Sequence, residues 1–197
     1  MKKFVLVLGV LAWMSTGFSQ TSNFEVVSNN KVIGTITTEK KVDGKSTSYA
    51  YTSKIDYNIG VELKTEESLQ TTYRSDTMVS NTTQTKINAK SRFNIQHKID
   101  EKTNTYNRTV NTKQQTVNIG IIKYAYINLF FNAPPDNLKQ VFSEIYGKTL
   151  TIAKESTGVY IVTDPMGRKS TFYYEDGRFQ KATITNSLGV YFIKKKG

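Results

Sequence analysis

The chain has one histidine, His97, and no cysteine among its 197 residues. That removes most routes to a nucleophile, a base or a soft metal site at once. A Ser-His-Asp arrangement would have to use His97, which lies mid-strand on the side of Phe93, Ile95 and Ile99. The expectation is a packed histidine without a catalytic role. No Walker loop, nucleophile elbow, zincin helix or zinc-type Cys/His spacing occurs. No metal and no cofactor is expected.

Carboxylates are the remaining chemical resource. Glu66-Glu67, Asp100-Glu101 and Glu175-Asp176 stand in adjacent pairs. Neighbouring residues of a strand point to opposite faces, so such pairs do not converge. Glycoside hydrolysis needs two carboxyl groups facing each other across a cleft, and spacing alone does not supply that. Glu144, between Phe142 and Tyr146, is an acid candidate that reads as an exposed charge on a helix. The expectation is therefore a protein that is not an enzyme. Asn81-Thr-Thr and Asn107-Arg-Thr fit the glycosylation pattern and are read as chance matches.

Tyrosine is the more distinctive excess, with 12 Tyr and 10 Phe in an otherwise polar chain. Tyr49, Tyr51 and Tyr57 share one parity of a predicted strand. With Tyr124 and Phe130 they form the expected ligand-binding set, an amphipathic surface suited to sugars or acyl chains.

The elements that must position these residues are mostly strands. From Phe24 to Ile119 the chain is rich in Thr, Ser, Asn and Tyr. Tyr49, Tyr51, Ile55, Tyr57, Ile59, Val61 and Leu63 alternate with polar residues, the period of a strand with one buried face. The run exceeds ordinary strand length, which predicts a turn or bulge near Gly60. Asn29-Asn30, Asp43-Gly44 and Ser75-Asp76 mark further turns. Ile121 to Phe131 is the most apolar stretch after the N-terminus. Behind Pro134-Pro135, Leu138, Val141, Phe142 and Ile145 recur at helical spacing, with Asp136 or Asn137 to cap and Gly147 to stop. This predicts one short helix near residues 136–146. Short strands separated by Lys154-Glu-Ser-Thr, Asp164-Pro-Met-Gly, Glu175-Asp-Gly-Arg and Asn186-Ser-Leu-Gly describe a closing meander.

The predicted fold is mainly β: an antiparallel curved sheet or open barrel of about ten strands, with the segment Ile119 to Tyr146 plugging its concave face. Residues 1–20 read as a signal peptide, with Lys2 and Lys3, an apolar core Phe4 to Trp13, and small residues at Ser15 to Ser19. Cleavage is expected near Ser19/Gln20. No Cys follows for a lipoprotein anchor, and no later run is apolar enough to span a bilayer. Residues 21–197 are read as a single β-rich domain, periplasmic or extracellular. The net charge is +11. Without Lys2 and Lys3, 25 basic residues stand against 16 acidic ones, leaving +9. Such a charge favours anionic neighbours; export excludes nucleic acid as a partner and points to lipid, glycan or another anionic envelope component.

Four stretches carry a resemblance: Asn128-Leu-Phe-Phe-Asn-Ala-Pro-Pro, Val141-Phe-Ser-Glu-Ile-Tyr-Gly, Tyr160-Ile-Val-Thr-Asp-Pro-Met-Gly and Phe172-Tyr-Tyr-Glu-Asp-Gly-Arg-Phe. On these the chain resembles a family of exported Bacteroidota proteins of unknown function. The resemblance covers the last 75 residues or so, the front half matching by pattern only, and brings no activity with it. It implies a wrapped sheet similar to the half-barrels of lipoprotein carriers and periplasmic lipid-binding proteins. Two functions are thereby expected: a non-catalytic binding or carrier module for a hydrophobic or anionic envelope ligand, or a structural and interaction protein of the envelope without a small ligand.

Overall fold

The structure is a computed structural model that describes residues 18–58 and 60–196. The predicted signal peptide lies almost wholly outside these residues; Phe18, Ser19 and Gln20 pair with Val42, Lys41 and Lys40.

Fourteen strands form one antiparallel sheet. The first eight are β1 (Phe18–Ser28), β2 (Lys31–Asp43), β3 (Ser46–Asn58), β4 (Glu62–Arg74), β5 (Thr77–Ile87), β6 (Lys90–Asp100), β7 (Thr105–Val110) and β8 (Lys113–Val117). The remaining six are β9 (Gln140–Ser143), β10 (Lys148–Ser156), β11 (Val159–Thr163), β12 (Lys169–Glu175), β13 (Arg178–Asn186) and β14 (Gly189–Lys195). Each strand within β1–β8 and within β9–β14 pairs with its sequence neighbour. The two meanders join where β1 pairs with β14, Val26 opposite Ile193. The free edges are β8 and β9, so the sheet curves without closing. It has more strands than the ten expected, because the polar front half divides at every turn signal. Several of these are tight turns with positive φ, as at Asn29-Asn30 (49° and 60°). The turn predicted near Gly60 is present, with Gly60 at φ 88°.

Alternation decides which face is buried. Phe24, Val26, Ile36, Ile55, Leu69, Tyr73, Phe172, Ile184 and Ile193 point inward, and the intervening polar residues point out. A connector, residues 118–139, runs from β8 to β9 across the concave face. Its Ile122, Ala125, Ile127, Leu129, Phe130 and Phe131 are all buried, because a sheet of polar strands must find its apolar partner elsewhere. The connector carries a 3-10 turn, Tyr126–Phe130. Both meanders hold it by backbone: Met78 N–H donates to the Ile122 carbonyl at 2.9 Å, and Phe142 N–H to the Tyr124 carbonyl at 3.0 Å.

The helix predicted near residues 136–146 does not form. Residues 140–143 are strand β9, with Val141 opposite Leu150 and Phe142 opposite Thr149. The helical spacing was misleading: Val141 and Phe142, sequence neighbours, are both buried, whereas Ile145 is exposed. A helix of this length is marginal on its own, and the unpaired edge of β10 supplies backbone partners that an isolated helix lacks. Gly147, expected to stop the helix, instead turns β9 into β10 at φ 64°.

Candidate functional site

The connector does not fill the concave face completely. A cavity of about 210 Å³ remains between the 3-10 turn, β4, the β9–β10 turn and the β11–β14 wall. Phe130, Leu69, Ile127, Ile184 and Ile193 give it an apolar lining, and Tyr51, Tyr126 and Tyr191 add ring faces. Burial pushes all three phenols above their ordinary range, so they stay neutral hydrogen-bonding groups.

Two carboxyl groups face this space. Glu67 is on the inward parity of β4, in phase with Leu69, Thr71 and Tyr73, while Glu66 points to solvent. It is half-buried, and burial pushes its carboxyl up to about 7. Glu144 follows β9 and is 1% exposed, which corrects its reading as a surface charge. Its Oε1 accepts from the Ile127 N–H at 3.1 Å, tying the β9–β10 turn to the 3-10 turn. Burial raises its carboxyl to about 7, with a smaller push from the charge of Glu67, against backbone donors that favour the ionised form. Neither carboxyl has a cationic partner among the described residues. The Arg168 guanidinium at the wall is held by Asp164, its Nε donating to Oδ2 at 2.7 Å, and by the Tyr146 hydroxyl at 3.2 Å.

The five expected ligand-binding residues divide. Tyr51 and Phe130 line this cavity, their ring centroids 5.2 Å apart. Tyr49 and Tyr124 line a second, more polar cavity of about 210 Å³ with Tyr73, Lys123 and Asn128. Tyr57 lines neither; it packs edge-on against Tyr191, centroids 6.3 Å apart. In the wall of the second cavity Asn128 acts as a strut: its Oδ1 accepts from the Tyr73 hydroxyl at 2.7 Å and from Ala125 N–H at 2.8 Å.

Strand alternation sets Glu67 aside with Glu66 as a pair that does not converge, and residue chemistry alone does not single out Tyr126, Tyr191 or the Asp164–Arg168 pair. Glu67 left a signal: it shares parity with Leu63, Leu69 and Tyr73, a charge on an apolar face. His97 is 1% exposed on β6, outside the cavity lining. Its Nδ1 lies 3.2 Å from Asn81 Oδ1, and its ring meets Phe142 edge-on at 5.2 Å. Burial, with Arg108 adding, lowers it to about 4. Among the described residues no three His, Asp or Glu side chains gather as a metal-ligating set. No helix among them is long and apolar enough to cross a membrane.

A single curved antiparallel sheet wrapped on an apolar connector, open at one seam and hollow beside the plug, defines a barrel-like β protein. The chain belongs to the DUF6134 family, a domain of unknown function, whose model matches residues 24–196. In the crystal structure of a beta-barrel-like protein of domain of unknown function DUF1849 from Brucella abortus the fold is similar, with TM-score 0.55 and 10% sequence identity. The likeness covers 90% of this chain and 94% of that one, and at such identity concerns the fold alone. No curated protein matches the chain.

Proposed function

We propose that the protein is an exported, non-catalytic binding or carrier module whose hydrophobic ligand lies in the cavity between the connector and the sheet. One observation carries this reading: an apolar, tyrosine-rich hollow persists beside a connector that buries Ile122, Ala125, Ile127 and Leu129 to Phe131. Small-molecule sites are concave and mostly apolar with a few polar groups, and this hollow has that composition. The basic N-terminus with its apolar core supports export to the periplasm or beyond. The anionic ligand considered from the charge finds no support in the cavity, and lipid or glycan anions are left to the basic exterior.

The non-catalytic part rests on the carboxyl pair. Acid–base chemistry with two carboxyls needs environments that drive them apart, one protonated and one ionised. Burial, the largest cause for each, drives Glu67 and Glu144 the same way, upward. His97 lies outside the lining and is held neutral.

The test uses an apolar fluorescent dye on the purified exported protein. Saturable binding, reversed by added lipid and weakened by a bulky substitution such as Leu69→Trp in a variant that still folds, is the expected outcome. A protein that takes up no dye and leaves its host without a ligand visible by native mass spectrometry is instead a structural or interaction protein of the envelope. The extent to which the connector already fills the sheet favours that second reading.

A further inference from the structure

The cavity's charge runs against that of the molecule. The chain carries +11 overall, yet the cavity wall holds three carboxyl groups, Glu67, Glu144 and Asp164, and one cation, Arg168. Arg168 is committed: its Nη2 forms the ion pair with Asp164, and both side chains are largely withdrawn from solvent. Glu67 and Glu144 come from opposite sides of the fold, β4 and the β9–β10 turn, and no ion pair among the described residues involves either. A carboxylate withdrawn from water without a counter-charge is costly. Lysine is abundant in this chain, and none lines this cavity. Around the two acids stand ring faces, Tyr51, Tyr126, Tyr191 and Phe130, the surface that attracts organic cations as well as hydrocarbon.

We infer that the cavity takes an amphiphile bearing a cationic amine or ammonium group, its charge set between Glu67 and Glu144 and its hydrocarbon against Phe130, Leu69 and Ile184. This rests on the binding-module reading above and specifies its ligand class. The cation is the counter-charge that both acids lack; an anionic headgroup would meet two carboxyls with the only guanidinium already paired. The groups facing the acids are Tyr51 and Tyr57 from β3, Tyr73 from β4, Tyr126 from the connector, Tyr191 from β14, and the Asp164–Arg168 pair. The phenols stay neutral, so the acids alone change charge near neutral pH. Without ligand both are poised near 7, and a bound cation favours their ionised form. Binding therefore releases protons and tightens as pH rises.

The experiment compares three chain-matched probes on the purified exported protein by titration calorimetry: dodecyltrimethylammonium and dodecanoate below their micelle-forming concentrations, and dodecanol below its solubility limit. The ammonium probe is expected to bind best and dodecanoate worst. For one linked carboxyl near 7, the ammonium affinity should rise about tenfold from pH 6 to pH 8, with proton release seen as a buffer-dependent heat. Glu67→Gln and Glu144→Gln, made singly, keep the shape of the protonated acid and should each erode the ammonium preference while leaving dodecanol binding in place. Equal or tighter binding of dodecanol or dodecanoate overturns the cationic ligand and leaves the binding module standing. Failure of all three probes to bind a folded protein overturns both.

Discussion

Glu144 and His97 are both 1% exposed and titrate in opposite senses, and together they shape how stability follows pH. Glu144 has a folded value of about 7 against an ordinary 4.5. It holds its proton more tightly folded than unfolded. Its contribution is present below 4.5 and lost as pH rises through 7, at most about 3 kcal/mol for a shift of this size. His97 has a folded value of about 4 against an ordinary 6.5. Its contribution is present above 6.5 and lost as pH falls through 4. The two slopes oppose each other between 4.5 and 6.5, and above that the raised carboxyls of Glu144 and Glu67 act without the histidine. Glu144→Gln should therefore flatten the decline between pH 6.5 and 8, and the Gln amide oxygen can still accept from Ile127. His97→Gln should flatten the acid limb and leave ligand binding unchanged. Urea midpoints measured from pH 4 to 8.5 check both; a Glu144→Gln variant with the same alkaline decline as the parent would show that this carboxyl is ionised in the fold. Tyr73→Phe leaves the Asn128 oxygen with one donor in place of two, and should lower stability by about 1–2 kcal/mol.

The connector is the element on which the interior depends. Phe130 at its centre meets Tyr51, Tyr126, Phe172 and Phe179, with centroids between 5.2 and 6.1 Å. Tyr174 hydroxyl fixes the adjacent backbone by donating to the Leu129 carbonyl at 2.7 Å. Phe130→Ala should cost about 3–5 kcal/mol, read from denaturant unfolding. It should also enlarge the cavity, so dye affinity and stability change in the same variant. A loss under 1 kcal/mol would mean that the connector only covers the sheet. Much of this element was legible beforehand. An apolar run behind a series of polar strands has to enter their concave face, and the alternation at Tyr49 to Leu63 gave that face its direction. The strand β9 was not legible, because Leu138, Val141, Phe142 and Ile145 satisfy a helical period by accident. What decides between helix and strand there is the edge of β10, which the turn at Gly147 brings back alongside, and the Tyr124 carbonyl, remote in sequence. Glu144 was misplaced by that same error. Glu67 needed only a comparison of parity with Leu69, since a charge in phase with apolar neighbours marks either an error of register or a site.

For the whole molecule, the open seam sets how the sheet behaves as a barrel. No backbone ladder joins β8 to β9. Side chains close the gap instead: His97 of β6 packs on Phe142 of β9, and Arg108 of β7 donates from Nη2 to the Ile145 carbonyl at 3.0 Å. Gly147 lies against the same guanidinium and has no room for a Cβ. Two polar atoms of this seam, His97 Nε2 and Arg108 Nε, are buried without a hydrogen-bond partner; Thr38 Oγ1 and Asn94 Oδ1 share that cost, but within strands laddered on both sides. Local opening follows the regions with fewest satisfied contacts, so the seam is where this molecule opens first. The cavity shares the β9–β10 turn with the seam through Glu144, Ile145 and Tyr146. Opening there gives a ligand a way in without disturbing the long β1–β5 ladders. Arg108→Ala removes the donor at Ile145 and should speed amide exchange in β9 and the following turn by about five- to thirtyfold, the equivalent of about 1–2 kcal/mol. Exchange in β2, β3 and β4 should stay at the parent rate, and dye association should quicken with it. If amides of β9 exchange as slowly as before while those of β1–β5 accelerate, the seam is not the gate, and entry must occur elsewhere along the cavity wall.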